Sequence, residues 1–191
     1  MTSTTIRARF LPHYTSVRAT ARAAFDSLIE SATPTDIAAA EVWYSDARSF
    51  AQSLTAIRPA WSLLTSASVV SAFSPRVTWG HNKAKALQYA QGITPKGLRS
   101  HVVAADRCVA EGGNALRGLK THAFADAIAG NPDAVVIDVW MCRAAGLGKD
   151  APNVTEYRAI ADAITEMARE RNMAPATLQA LLWIIIRGKA E

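Results

Sequence analysis

Cysteine is scarce in this chain of 191 residues, with Cys108 and Cys142 as its two examples. Neither belongs to a CxxC motif or to a cluster with histidine, which excludes a disulfide-stapled scaffold, a zinc finger and a four-cysteine iron–sulfur site. The histidines also lack the spacing of a metal pair, so we expect no metal and no cofactor. Two isolated thiols predict reduced, partly buried cysteines in an intracellular, cytoplasmic protein.

Long apolar runs are absent as well. The longest, Ala180 to Ile186, is far too short to span a membrane, and Met1 to Phe10 contains no apolar region typical of a signal peptide. We therefore expect no membrane partner. Charged residues make up only 19% of the chain and hydrophobic residues 50%, a balance that excludes extensive disorder.

Alanine, in contrast, is abundant, with 38 examples. Alanine has the highest helix propensity, and apolar residues recur with helical spacing, as in the series Val154, Tyr157, Ile160, Ile164 and Met167. No segment alternates convincingly with period two. The sequence therefore predicts an all-α fold of about nine or ten helices, with a third helix opened by Arg58-Pro59 and a short helical turn from Ala115 to Arg117.

The charge balance is basic, because Lys and Arg number 21 against 16 Asp and Glu, which gives a net charge of +5. The isoelectric point is correspondingly near 9.5. A basic surface favours polyanionic partners, although an excess of this size does not identify one.

Four short segments between Ser74 and Arg187 then occur in a recognisable order. They are Ser74-Pro75-Arg76 with Asn82-Lys83-Ala84, Leu116-Arg117-Gly118-Leu119-Lys120-Thr121, Val135-Val136-Ile137-Asp138 with Arg143, and Trp183-Ile184-Ile185-Ile186-Arg187-Gly188. Their joint order resembles the helix-hairpin-helix (HhH-GPD) DNA glycosylase superfamily, in particular its endonuclease III-like branch. The chain lacks the iron–sulfur cysteines of many members, and its hairpin is shorter, with one glycine and with Arg117 in place of a proline.

The resemblance implies a two-lobed helical fold with a cleft between the lobes. One lobe would combine residues 1–58 with residues 139–191. The other would be the central segment 59–138, with the hairpin at about 115–122.

Asp138 matches the catalytic aspartate of the family. Cleavage of an N-glycosidic bond builds positive charge on the sugar, which an adjacent carboxylate stabilises. Because Asp138 ends an apolar run at a helix start, it is also a candidate N-cap, and the two roles are compatible.

Lys120 matches the lysine that attacks the sugar in the lyase members and forms a Schiff base. That chemistry requires a partly neutral amine, whose pKa is lowered by burial or by a neighbouring cation. A phosphate contact or a solvated surface position is the alternative.

The hairpin predicts contacts with the DNA backbone. A glycine turn before a helix exposes N–H groups that bind phosphate, here from Gly118, Leu119 and Thr121, unless the segment is an ordinary helix–helix turn. The side chains of three basic residues, Arg76, Lys83 and Arg117, are further candidates for DNA binding.

His81 and Asn82 match the region near the extruded base in the family, and Trp79 is a surface on which a base could stack. The same cluster also fits a solvated helix start.

The leading hypothesis is therefore a DNA N-glycosylase, with or without lyase activity, acting on duplex DNA. The alternatives are a phage-type base-hypermodification enzyme on the same fold and a non-catalytic DNA-binding module; the target base and the oligomeric state stay open.

Overall fold

The structure, a computed structural model, describes residues 8–188. Within that range the chain forms α-helices and one 3-10 helix and contains no strand, so the all-α prediction is confirmed. After the 3-10 helix Ala8–Phe10, the helices are α1 Leu11–Glu30, α2 Pro34–Ile57, α3 Leu63–Ala72, α4 Trp79–Ala90, α5 Arg99–Glu111, α6 Leu119–Ala129, α7 Val139–Ala144, α8 Val154–Glu170 and α9 Pro175–Arg187.

Two local predictions were wrong. The third helix begins at Leu63 rather than at Arg58-Pro59, because the Ser62 hydroxyl accepts a hydrogen bond from the Thr65 N–H at 3.0 Å and caps the helix there. The segment from Ala115 to Arg117 contains no helical turn and runs irregularly into α6. At the start of α3 a side-chain hydrogen bond outweighs the helix propensity of the preceding residues. Between Ala115 and Arg117 the geometry of the turn does so.

The described chain forms two compact units, one of residues 8–40 with 137–188 and one of Glu41–Val136. In the first unit α1 and α8 lie side by side and run parallel. Three pairs join them, each 148 residues apart in sequence: Tyr14 with Asp162, Arg18 with Glu166 and Arg22 with Glu170. This constant offset keeps the two helices in register above a core that includes Phe25, Ile160, Ile164, Met167, Leu178 and Leu182.

In the second unit α3 is buried on nearly all sides, from Thr65 to Ala72. Its serine hydroxyls nevertheless have hydrogen-bond partners, as buried polar groups require. Ser68 donates to the Leu64 carbonyl at 2.7 Å, and Ser71 donates at 2.7 Å to the carbonyl of Thr121 in the first turn of α6. The Ser71 bond fastens the start of α6 to the centre of this unit.

Glu156 is a buried carboxylate at the start of α8, only 4% exposed. It forms a capping box with Asn153, and its carboxylate lies 2.8 Å from the Lys149 ammonium and 3.1 Å from His13 Nε2. Burial alone would raise the pKa of Glu156, but the hydrogen bonds from Lys149, Asn153 and His13 outweigh it and leave the pKa below its usual value.

We expect Glu156→Ala to lower the free energy of unfolding by about 2 kcal/mol at neutral pH, because it removes the capping-box hydrogen bond to the Asn153 N–H and the ion pair with Lys149. Since the folded pKa lies below the unfolded value of 4.5, this contribution is present above that value and is lost as the pH falls through the folded pKa. Urea unfolding across that pH range should show the gap between the two proteins narrowing in acid. The control Glu166→Ala, on the same helix and in a more exposed pair, should cost at most about 1 kcal/mol; an equal loss in both variants would contradict the assignment.

Candidate functional site

The turn between α5 and α6 is held by side chains rather than by helical hydrogen bonds. The Asn114 amide donates to the His122 carbonyl at 3.0 Å and to Asp126 Oδ1 at 2.7 Å. His122 Nδ1 lies 3.2 Å from the Leu116 carbonyl oxygen. These contacts fix the predicted hairpin segment onto the first turns of α6.

Gly118 is the N-cap of α6 and gives this helix start no side-chain cap. A Cβ atom at Gly118 would lie 3.1 Å from the Thr121 hydroxyl, which itself donates to the Gly118 carbonyl at 3.1 Å, so the close approach favours glycine. Arg117, Gly118 and Leu119 are exposed. An exposed helix start with a neighbouring arginine has the positive potential that attracts phosphate.

Lys120 is half-buried in the first turn of α6. Its Nζ donates to the Ser74 hydroxyl at 2.7 Å and lies 5.2 Å from the centre of the Phe124 ring. The amine is therefore held on one side by a hydroxyl and on another by an aromatic face.

Trp79 is half-buried in a cluster of aromatic rings. Its ring centre lies 5.9 Å from Trp43, 6.3 Å from Phe50 and 6.3 Å from Phe124. Lys83 Nζ lies 5.5 Å from the Trp79 ring. The cluster thus brings the two candidate lysines, Lys83 and Lys120, against neighbouring rings of one unit, and packing explains much of the Trp79 environment.

The two polar residues that follow Trp79 have opposite environments. His81 is exposed, and its Nδ1 lies 3.0 Å from the hydroxyl of Thr78, the N-cap of α4. Asn82 is only 2% exposed, and its Oδ1 has no hydrogen-bond partner within the described range. Arg76, just before this helix, is exposed and has a positive φ of 61°. Of these candidates, Asn82 is the one with an unsatisfied buried acceptor.

Asp138 is half-buried at the start of α7, and it caps that helix. Its Oδ1 accepts the N–H groups of Trp140 at 2.9 Å and Met141 at 3.0 Å. Its Oδ2 accepts the indole N–H of Trp183 at 3.1 Å. The cap role is therefore confirmed, and three donors fix the direction of the carboxylate.

Arginines surround the two tryptophans next to Asp138. The Arg143 guanidinium lies 5.0 Å from the Trp140 ring and is paired with Asp150, while Arg187 lies 5.5 Å from Trp140 and 4.6 Å from Trp183. The hydrogen bond between Trp183 and Asp138 was not predicted from the sequence. No local pattern could have shown it, because the two residues are 45 positions apart.

No group of three or more His, Cys, Asp or Glu side chains within residues 8–188 could hold a metal ion. No helix among the same residues is long and apolar enough to cross a membrane.

Comparison with known proteins gives one match. Residues 13–190 match the family described as "Family of unknown function (DUF7178)". No curated protein matches the chain, and no solved structure does either.

Proposed function

This chain belongs to DUF7178, a family of unknown function, and from its own residues we propose that it is a DNA N-glycosylase that flips a damaged or modified base and cleaves its glycosidic bond. The observation that carries the proposal is the oriented carboxylate of Asp138. Three N–H donors fix it at the end of an apolar segment and beside half-buried aromatic rings. A preoriented negative charge in such surroundings suits the oxocarbenium-like transition state of base release.

Lys120 supports an added lyase activity. A neutral Lys120 amine would attack C1′ of the sugar, the C1′–N bond would break, and the base would leave with a proton. Opening of the sugar ring would then give a Schiff base between Nζ and C1′. The Ser74 hydroxyl and the Phe124 ring hold this amine at the first turn of α6.

Asn82 supports the recognition of a base. A buried oxygen without a hydrogen-bond partner costs about 1–3 kcal/mol, which a donor group on a bound base would recover. In this proposal Asn82 Oδ1 accepts a hydrogen bond from the amino or imino edge of the flipped base, and the exposed His81 lies at the rim.

DNA binding in this proposal depends on the helix start at Gly118 and on the basic side chains of Arg76, Lys83 and Arg117. The two-lobed arrangement with a cleft, implied by the family resemblance, is also part of the proposal. The net charge of +5 agrees with a nucleic-acid partner.

We expect binding to duplex DNA that is largely independent of sequence and weakens with salt. Each phosphate contact adds about 0.9 to the slope of log affinity against log salt, so Arg117→Gln should reduce the slope by about that amount. Fluorescence anisotropy over a salt series measures this. Arg48→Gln, the same charge change on an exposed arginine of α2, should leave the slope unchanged.

The reaction is tested with duplexes that contain uracil, an oxidised base, an alkylated base or an abasic site, followed by measurement of base release and strand cleavage. Absence of DNA binding at low salt would remove the proposal altogether. Salt-dependent binding without base release on any substrate would instead favour the non-catalytic module, and alteration of the base without its release would favour the hypermodification enzyme.

A further inference from the structure

His101 is a buried histidine with an unsatisfied nitrogen. It is the third residue of α5 and is 8% exposed. Its Nδ1 has no hydrogen-bond partner within residues 8–188. Buried polar nitrogens are nearly always hydrogen-bonded, so one without a partner points to a group that binds there.

Lys85 brings a positive charge to the same end of α5. It is half-buried on α4, and its Nζ would lie 2.8 Å from a Cβ built on Gly97. Gly97 has a φ of +146° and no side chain, so the turn just before α5 has room for the ammonium. The N-cap of α5, Leu98, gives this helix start no side-chain hydrogen bond.

Lys120 approaches from α6. Its Nζ donates to Ser74, the residue after Phe73, and the Phe73 ring centre lies 6.5 Å from that of His101. The pKa of His101 is lowered by burial and by the positive charges of Lys85 and Lys120, which places both ammonium groups within electrostatic reach of the imidazole. Burial and two nearby cations therefore all act to lower the pKa of this histidine.

We propose that Lys85, His101 and Lys120, together with the N-terminal end of α5, bind a phosphate group. A phosphate would neutralise the two ammonium groups and interact favourably with the positive end of the α5 dipole. It would also form a hydrogen bond with His101 Nδ1. Because Nδ1 is covered, binding requires side chains to rearrange, for which the long lysine side chains provide the freedom.

This site goes beyond the proposed DNA reaction. Lys85 and His101 have no part in base release, and only Lys120 is common to both proposals. The phosphate could belong to a terminal monoester, as in a nucleotide, or to a diester in a nucleic-acid backbone. The two sources differ in charge and shape, so two probes distinguish them.

The test is a titration of the ¹⁵N-histidine-labelled full chain with inorganic phosphate at constant ionic strength, followed by NMR of the imidazole nitrogens. We expect a saturable shift of the His101 Nδ1 signal with phosphate and none with chloride. Lys85→Gln should weaken the phosphate affinity by about tenfold or more, the loss expected of a hydrogen bond to a charged group. A parallel titration with dimethyl phosphate identifies a diester site if it gives the same shift and a monoester site if it does not.

Arg48→Gln is the matched control, since it removes one positive charge from an exposed position on α2 of the same unit. Its phosphate affinity should equal that of the unchanged protein. The proposal would be overturned if the His101 Nδ1 signal showed no saturable shift with phosphate. It would also be overturned if Lys85→Gln bound phosphate as tightly as the unchanged protein. Neither result depends on base release, which is measured separately on damaged duplexes.

Discussion

Asp138→Asn is expected to reduce base release by at least about a hundredfold at saturating protein, because the negative charge beside the developing sugar cation is lost. DNA affinity should change little. Asn can still accept the Trp140 and Met141 N–H groups through its Oδ1. Its NH₂ group, however, would face the Trp183 indole N–H, so the lost hydrogen bond should lower stability by about 1 kcal/mol. Single-turnover kinetics and urea unfolding measure the two effects.

Trp183→Phe is the matched control. It removes the indole N–H but keeps the carboxylate and an aromatic ring beside Arg187. If the charge of Asp138 is what matters, this variant should lose far less activity than Asp138→Asn at a similar stability cost. Equal activity in Asp138→Asn and the unchanged protein would refute the catalytic assignment and leave Asp138 as a helix cap.

Lys120→Ala is expected to abolish strand cleavage and the covalent adduct trapped by borohydride, because no amine is left to form a Schiff base. Lys120→Arg separates this chemistry from phosphate binding. Arginine stays charged and cannot form the adduct, but it can contact a phosphate. The arginine variant should therefore keep most of the DNA affinity while the adduct is lost.

Ser74→Ala is the control for the surroundings of the lysine. It removes the hydroxyl that accepts from Lys120 Nζ and leaves the amine in place. Its adduct should still form. A trapped adduct that persists in Lys120→Ala would show that another group is the nucleophile, whereas a fall in affinity and salt slope with unchanged chemistry would assign Lys120 to phosphate binding.

The helices could be predicted because their signals are local. The alanine content and the helical spacing from Val154 to Met167 act within one or two turns, and the structure has α8 where they indicate. The start of α3 was missed because Arg58-Pro59 resembles a helix start, whereas the Ser62 hydroxyl supplies the actual cap.

The surroundings of the candidate site residues could not be predicted, since they depend on contacts between distant segments. Asp138 could be identified as a cap from its position, but its bond to Trp183 requires α7 and α9 to pack together. His101 likewise has no distinctive sequence context, and its unsatisfied nitrogen becomes evident only in the folded second unit. The lobe boundaries and the roles of Asp138 and Lys120 in a reaction stay predictions.

The pairing of α1 with α8 has a consequence for synthesis of the chain on the ribosome. The unit that contains both helices is discontinuous, while Glu41–Val136 is a contiguous stretch made in between. The contiguous unit can pack its own hydrophobic core as soon as its residues have left the ribosome. Helix α1, although made first, has to wait for residues 154–170 before Tyr14, Arg18 and Arg22 meet their partners. Closing so long a loop costs entropy before any contact repays it, so we expect α1 to dock after the contiguous unit has formed its core.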